Sequence, residues 1–267
     1  MRKASLHILT LTTAGGAIIL ALSFAMGNAG WLNLPRFARQ QAMPDFARIA
    51  DVGIRKQIFI EYLLPHVNSV NRTLEIRRYH VNELYNFHIA GHDLKFYQRK
   101  WLRKIAREYG IKFTNISDKE IWNQLRQRVE PIPTSLVLAQ AALESGWGGS
   151  RFAQQGNNLF GHWCYISGCG IVPERRNEGE IHEVRRFATV QESIWQYAHN
   201  LNTHNAYDSF RYLRNRERVL YNGAIRSDVV AKGLKKYSSL GDEYIQRVLS
   251  VISGNNLNRF DKKISKI

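Results

Sequence analysis

The sequence contains few cysteines and few acidic residues. Two cysteines, Cys164 and Cys169, occur among its 267 residues, and no second Cys/His pair stands at the spacing of a metal site. Two cysteines separated by four residues are a weak indication of metal binding, so a zinc-type centre is not predicted. Asp and Glu number 22 against 38 Lys and Arg, which gives a formal net charge of +16.

This excess of positive charge predicts an anionic partner. Nucleic acid, acidic lipid and cell-wall glycan with its carboxylates and phosphates all meet that description. The basic residues are scattered along the chain and no nucleic-acid-binding motif occurs, so nucleic acid is not the expected partner. With 44% hydrophobic residues, the composition is that of a globular protein and excludes wholesale disorder.

The chemistry is concentrated in one stretch, residues 133–161, which reads PTSLVLAQAALESGWGGSRFAQQGNNLFG. Its first part predicts a helix near Pro133, in which the spacing of Val137, Ala141 and Glu144 places a carboxylate on an apolar face. The glycines that follow end the helix. Desolvation and the negative end of the helix dipole both raise the pKa of such a carboxyl group, as a general acid for glycosidic bond cleavage requires. The alternative is a glutamate that simply extends to water.

The run ALESGWGGSRFA followed by NNLFG resembles the signature of the peptidoglycan β-N-acetylglucosaminidase family, which contains flagellar muramidase-type and autolysin domains. The MPDF segment at Met43 and the helical region after it are similar to the Bax-like subgroup of Gram-negative bacteria. The resemblance extends over residues 111–257 at the level of motifs. It implies that Glu144 is the catalytic acid.

The resemblance implies further site residues. Tyr237 matches the tyrosine that lines the active site opposite the acid, and is expected to be catalytic. The residues expected to contact substrate are Trp147, Asn158, Phe160, Gly161, Trp163 and Tyr207. Among these the aromatic rings of Trp147, Phe160 and Trp163 would supply flat apolar faces for sugar rings. No metal or organic cofactor is implied.

The family also carries a second acidic residue in a small β-lobe. The four candidates in this sequence are Glu174, Glu178, Glu180 and Glu183. Counting back from Phe187, at the expected strand end, favours Glu174. A shift of one residue in the hairpin would favour Glu178 instead. Since the family's T-x-E-Y pattern is absent here, each of the four also remains interpretable as a solvated turn charge.

The N-terminus has the pattern of an export signal. Arg2 and Lys3 precede an uncharged stretch over residues 4–30 with small residues near its end. Cleavage is preferred, and retention as a membrane anchor is the alternative. The protein is therefore expected in the periplasm or on the periplasmic face of the inner membrane. In that oxidising compartment a disulfide between Cys164 and Cys169 is the preferred interpretation of the pair.

Four segments are expected along the chain. They are a signal peptide or anchor (1–30), a linker and helical N-terminal region (31–110), the glucosaminidase domain (111–257) and a basic, frayed tail (258–267). In the second segment, helical spacing begins after Asp51 and Pro65 is expected to interrupt it. Capping boxes are expected at Ser117 and Thr189.

The fold class that follows is mainly α (α+β), a lysozyme-like helical domain with a small β-hairpin lobe formed by residues 170–173 and 181–187. The expected function is hydrolysis of the β-1,4 bond after N-acetylglucosamine in peptidoglycan glycan strands. A lytic transglycosylase with the same fold is one alternative, since it needs a single carboxylate. A non-catalytic scaffold that binds the cell wall is the other.

Overall fold

The computed structural model describes residues 42–261 except 175 and 222, so the export signal expected over residues 1–30 lies outside the described residues. The helices are α1 (Val52–Ile89), α2 (Phe96–Glu108), α3 (Lys119–Arg128), α4 (Thr134–Ser145), α5 (Arg151–Gly156), α6 (Val190–Thr203), α7 (Asp208–Leu220), α8 (Ser227–Val230) and α9 (Asp242–Gly254). The strands are β1 (Trp163–Cys164), β2 (Gly170–Ile171) and β3 (Glu183–Arg185). This mainly helical architecture with a small β-lobe confirms the predicted fold class.

Helix α1 runs without a break through Pro65, and the expected interruption there is wrong. Proline removes one backbone hydrogen bond and costs about 3 kcal/mol inside a helix. The side of α1 opposite Pro65 is buried against α4 and α6, through residues at helical spacing that include Leu63, Val67 and Val70. Since burying one such side chain contributes about 1.5–3 kcal/mol, packing offsets the cost of the proline.

Helix α1 is shared between two hydrophobic cores. Its first half packs with α4, α6 and α9 in a core that contains Phe59, Leu136 and Val248. Its second half packs with α2 and α3 in a separate core that contains Trp101 and Trp122. The N-terminal helical region is therefore joined to the rest of the described chain by one continuous helix, whose first half is part of the larger core.

Buried charges join the helices around the larger core. Glu130, which is 3% exposed, lies between α3 and α4 and pairs with Arg78 of α1 and Arg218 of α7. Arg214 of α7 is fully buried and donates to the carbonyl oxygens of Pro131 and Gln127. Burial lowers the pKa of Arg214 to about 9, and the nearby Glu130 carboxylate opposes that shift. One carboxylate thus balances several guanidinium groups.

The β-lobe is a three-stranded antiparallel sheet in the order β1-β3-β2, with β3 in the centre. The hairpin expected from the sequence corresponds to β2 and β3, which pair through Gly170 opposite Arg185. The sequence analysis missed β1, which pairs Trp163 with Val184. Gly170 is required here, because a Cβ atom would lie 2.1 Å from the carbonyl oxygen of Val184.

Both ends of the described chain pack against α4 or the turn that follows it. Phe46 is fully buried beneath Gly148, where a Cβ atom would lie 2.4 Å from the phenyl ring. At the other end, Asp261 accepts hydrogen bonds from the backbone N–H and the hydroxyl of Ser135, in the first turn of α4. The expectation of a frayed tail is therefore wrong for residues 258–261, because this carboxylate caps a buried helix.

Among the residues that the structure describes, none of the helices combines the length and the apolar character that a membrane span requires.

We expect Glu130→Gln to lower the free energy of unfolding by about 3 kcal/mol or more, because buried guanidinium groups lose their counter-charge. Urea denaturation followed by circular dichroism measures the change. The matched control is Glu243→Gln, which removes an exposed ion pair with Arg247 and should cost less than about 1 kcal/mol. Equal stability of the two variants would show that Glu130 does not hold these helices together.

Candidate active site

Helix α4 is buried along almost its whole length and delivers Glu144 to the surface. Every residue of α4 except Leu143 and Glu144 is buried. The helix ends at Gly146 in the left-handed conformation, with φ +58°, and the N–H groups of Gly146 and Trp147 both donate to the carbonyl oxygen of Ala142. This glycine C-cap turns the chain directly after Glu144 and leaves its carboxylate facing outward.

A chain of hydrogen bonds ends on the Glu144 carboxylate. The hydroxyl of Tyr244 donates to Oε1 of Glu144 at 2.8 Å. Nε2 of Gln140 donates to the Tyr244 oxygen at 2.8 Å, and the hydroxyl of Tyr197 donates to Oε1 of Gln140 at 2.5 Å. Gln140 and Tyr197 are both fully buried. Because the Tyr244 oxygen accepts from Gln140, its own proton points at Glu144.

Aromatic rings form a wall beside this chain. The ring of Tyr237 stacks on Tyr244 with centroids 5.4 Å apart, and Tyr207 lies 6.0 Å from Tyr237. Phe160 stacks on Tyr197 at 4.1 Å. Burial raises the pKa of Tyr197, Tyr207 and Tyr237, and the charge of Glu144 adds to the effect. These phenols are therefore neutral across the physiological pH range.

Two opposing effects act on Glu144. Its surface is open to solvent, yet the surrounding helices and aromatic rings displace much of the bulk water that a carboxylate would have in solution. This desolvation raises the pKa of Glu144, and the hydrogen bond from Tyr244 partly counters the rise. The net direction is upward, as the sequence analysis expects. A carboxyl group that is both solvent-accessible and partly desolvated can carry a proton to a bound substrate.

The structure buries several residues that were expected to contact substrate. Asn158 is 2% exposed, and its side-chain amide donates to the carbonyl oxygens of His162 and Arg185. Tyr197 stacks on the ring of Phe160, which is 4% exposed, so little of this ring remains for contact with a sugar. These two side chains hold the turn before β1 against the β-lobe.

Three other expected contact residues are more accessible. The two tryptophans differ: Trp163 is 55% exposed and stacks on His182 at 4.1 Å, whereas Trp147 packs edge-on against Phe59 at 5.6 Å. Lys56 lies 5.1 Å above the Trp147 ring. Gly161 is exposed and has φ +71°, with open space where a side chain would be. Trp163 is therefore the most exposed of the three aromatic side chains that were expected to bind sugar rings.

The four candidate carboxylates of the β-lobe differ in their surroundings. Glu174 has a side chain that is 82% exposed and lies 3.5 Å from Arg151 of α5. Glu180 is exposed beside His182, and Glu178 is exposed. Glu183 is covered at its surface and accepts hydrogen bonds from the N–H groups of Gly168 and Gly170, which lower the pKa of its carboxyl group.

The cysteine pair forms a disulfide, Cys164–Cys169, as the sequence predicts. The disulfide links the end of β1 to the residue before β2. Glu183 of β3 accepts hydrogen bonds from the backbone N–H groups of Gly168 and Gly170 in the same region. These three side chains lie within 4.8 Å of one another. Both sulfur atoms are in the disulfide, and the carboxylate accepts two hydrogen bonds. We therefore interpret the three side chains as stabilising this loop rather than as ligands of a metal.

The sequence analysis did not include Gln140, Tyr197 or Tyr244 among the site residues. Gln140 lies one helical turn before Glu144, so its place on the same face of α4 could have been found from spacing alone. The two tyrosines come from α6 and α9, and Tyr244 is 100 residues from Glu144. No local pattern brings such distant residues together.

Comparison with known proteins gives one family match and similar chains. Residues 119–257 match the model of the glucosaminidase family, described as mannosyl-glycoprotein endo-beta-N-acetylglucosaminidase. Protein bax of Escherichia coli (strain K12) is 33% identical over 225 residues, which cover 82% of this chain and 76% of that protein. The catalytic domain of the autolysin Auto from Listeria monocytogenes has a TM-score of 0.38 and 20% identity, covering 67% of this chain and 97% of that chain.

We expect Tyr244→Phe to raise the pKa of Glu144 further, because the carboxylate loses the Tyr244 hydrogen bond, which stabilises its charged form. A ¹³C NMR titration of the Glu144 side chain measures this directly. Tyr212→Phe removes an exposed hydroxyl from α7 and serves as the control. An unchanged or lowered pKa in Tyr244→Phe would contradict the hydrogen-bond direction described above.

Proposed function

The chain belongs to the glucosaminidase family of glycoside hydrolases, and we propose that it cleaves the β-1,4 bond after N-acetylglucosamine in peptidoglycan, with Glu144 as general acid. The observation that carries the proposal is the position of Glu144. Its carboxyl group has a raised pKa, accepts a hydrogen bond from the aromatic wall and stands in the family's E-S-G-W-G run. This is the arrangement that protonation of a departing sugar oxygen requires.

The two oxygens of Glu144 have different tasks in this proposal. Tyr244 donates to Oε1, so a proton carried by the acid is held on Oε2. Donation from Oε2 to the leaving oxygen produces the carboxylate, which the Tyr244 hydroxyl then stabilises. Gln140 and Tyr197 act as positioning residues, because they orient the Tyr244 proton without contacting the substrate.

Tyr237 is the second proposed contributor from the helical lobe. Its ring is held between Tyr244 and Tyr207, and its neutral hydroxyl can hydrogen-bond the sugar beside the acid. Of the aromatic residues expected to bind sugars, Trp163 supplies an exposed face. Phe160 and Asn158 are proposed to shape the turn beneath it.

The second step depends on the β-lobe, and Glu174 is the proposed second carboxylate. It is exposed, and Arg151 draws it towards α5, which follows the Glu144 turn directly. A carboxylate there would activate water and give inversion, or stabilise the oxocarbenium-like transition state. In the third option, the acetamido group of the substrate itself acts as the nucleophile. Glu183 is a weaker choice, because both its oxygens are occupied by backbone N–H groups.

The proposed substrate places the protein outside the cytoplasm, in the periplasm or on the periplasmic face of the inner membrane. The disulfide supports an oxidising compartment. The N-terminal signal pattern supports export, whether that segment is cleaved or retained as an anchor.

We expect the purified protein to release fragments with reducing N-acetylglucosamine ends from purified sacculi, and Glu144→Gln to lose about 10²–10⁴-fold in rate because the amide has no acid proton to donate. Chromatography and mass spectrometry of the released muropeptides measure both. Fragments with 1,6-anhydro ends would instead identify a lytic transglycosylase. Wall binding without release by either protein would favour the scaffold.

Two matched variants separate the β-lobe carboxylates. We expect Glu174→Gln to lower kcat by at least about tenfold with an unchanged Tm, because the exposed pair with Arg151 contributes little stability. Glu183→Gln should lower Tm, because the amide is a weaker acceptor for the N–H groups of the disulfide loop. The assignment of Glu174 fails if its substitution leaves kcat unchanged.

A further inference from the structure

The turn between α1 and α2 carries apolar side chains that face solvent. Ile89, at the end of α1, is 61% exposed, and Phe96, at the start of α2, is 80% exposed. Phe87 is exposed on the same tip and stacks on His92 of the turn. Large apolar residues at consecutive element ends, projecting from both sides of one short turn, form an apolar tip rather than a single exposed side chain.

The outer face of α2, next to this tip, is basic. Residues 87–107 contain one acid, Asp93, and six cations. The cations are all exposed: Lys95, Arg99, Lys100, Arg103, Lys104 and Arg107. The opposite face of α2 is buried in the second core, so these side chains stand on one side of the helix. Among the described residues, the one ion pair of this face joins Arg99 and Asp93 at 3.7 Å.

We propose that the apolar tip and the basic face of α2 dock on an anionic phospholipid bilayer. The cations would contact lipid phosphates, while Phe96 and Ile89 would enter the boundary between headgroups and acyl chains. The combination decides the choice of partner. A hydrophilic polyanion, such as a wall polymer, would satisfy the cations but would leave the apolar tip in water.

Helix α1 determines what such docking would do. Phe59 packs against Trp147, in the turn that follows Glu144, and Phe87 lies 28 residues further along the same helix. At 1.5 Å per residue, α1 places these two points about 40 Å apart. A protein docked by its tip would therefore hold the candidate active site at a set distance from the lipid. The docking itself does not depend on the proposed hydrolase activity.

The test is photo-crosslinking in the full-length chain. Phe96→p-benzoyl-phenylalanine places a photoreactive ring at the tip, and Ile166→p-benzoyl-phenylalanine places the same ring at an equally exposed position on the β-lobe. Both proteins keep residues 1–41, so any membrane binding by that segment is common to them. The vesicles contain phosphatidylglycerol with phosphatidylcholine, or phosphatidylcholine alone.

We expect lipid adducts at position 96 in the anionic vesicles, at least about tenfold above those at position 166 and above those in the neutral vesicles. Adding Lys100→Glu and Lys104→Glu to the Phe96 probe should remove most of that signal. The matched double reversal, Arg216→Glu with Lys232→Glu, changes exposed cations elsewhere and should leave it. Equal lipid labelling at both positions, labelling that ignores lipid charge, or crosslinks to a second protein copy would each overturn the proposal.

Discussion

Burial of α4 is the constraint on which the candidate site depends. Ten of its twelve residues are buried, so the helix cannot rotate or slide without exposing apolar surface. The last turn, and Glu144 with it, is therefore held in place by the packing of α1 and α9 against α4. Asp261 caps the first turn and Gly146 ends the last one. Glu144 is thus positioned by the core, while its carboxylate remains exposed to solvent.

The pKa of Glu144 is determined by two opposing effects, desolvation and the hydrogen bond from Tyr244. Burial alone raises the pKa of Glu144. Without a compensating contact, the carboxylate left after loss of the proton would be poorly stabilised. In the proposed reaction, the Tyr244 hydroxyl stabilises the carboxylate that remains after proton transfer. Gln140 ensures that this hydroxyl donates rather than accepts. A site built in this way can hold the proton before the reaction and stabilise the charge after it.

Local patterns predict those parts of the structure that local forces determine. The α4 helix, the cap at Thr189 and the disulfide across a five-residue separation follow from adjacent residues. A local pattern predicts an interruption at Pro65, but the helix continues because packing, which is not a local property, outweighs the cost of the proline. The contact between Gln140 and Tyr244 spans 104 residues, and no periodicity reports it. The surroundings of the four β-lobe carboxylates likewise depend on the pairing of three strands, which includes β1 and which local patterns do not report.

The limits of the family match do not coincide with the limits of the packed domain. The match covers residues 119–257, yet Phe46 fills the space beneath Gly148 and Asp261 caps α4. Asp261 contacts the start of α4, and Phe46 contacts the turn that follows its end. Both residues lie outside the family match. Since α1 also contributes to the larger core, the residues before 119 stabilise the half of the molecule that contains Glu144. One helix, α1, therefore contributes to the core that positions Glu144 and also carries part of the apolar tip.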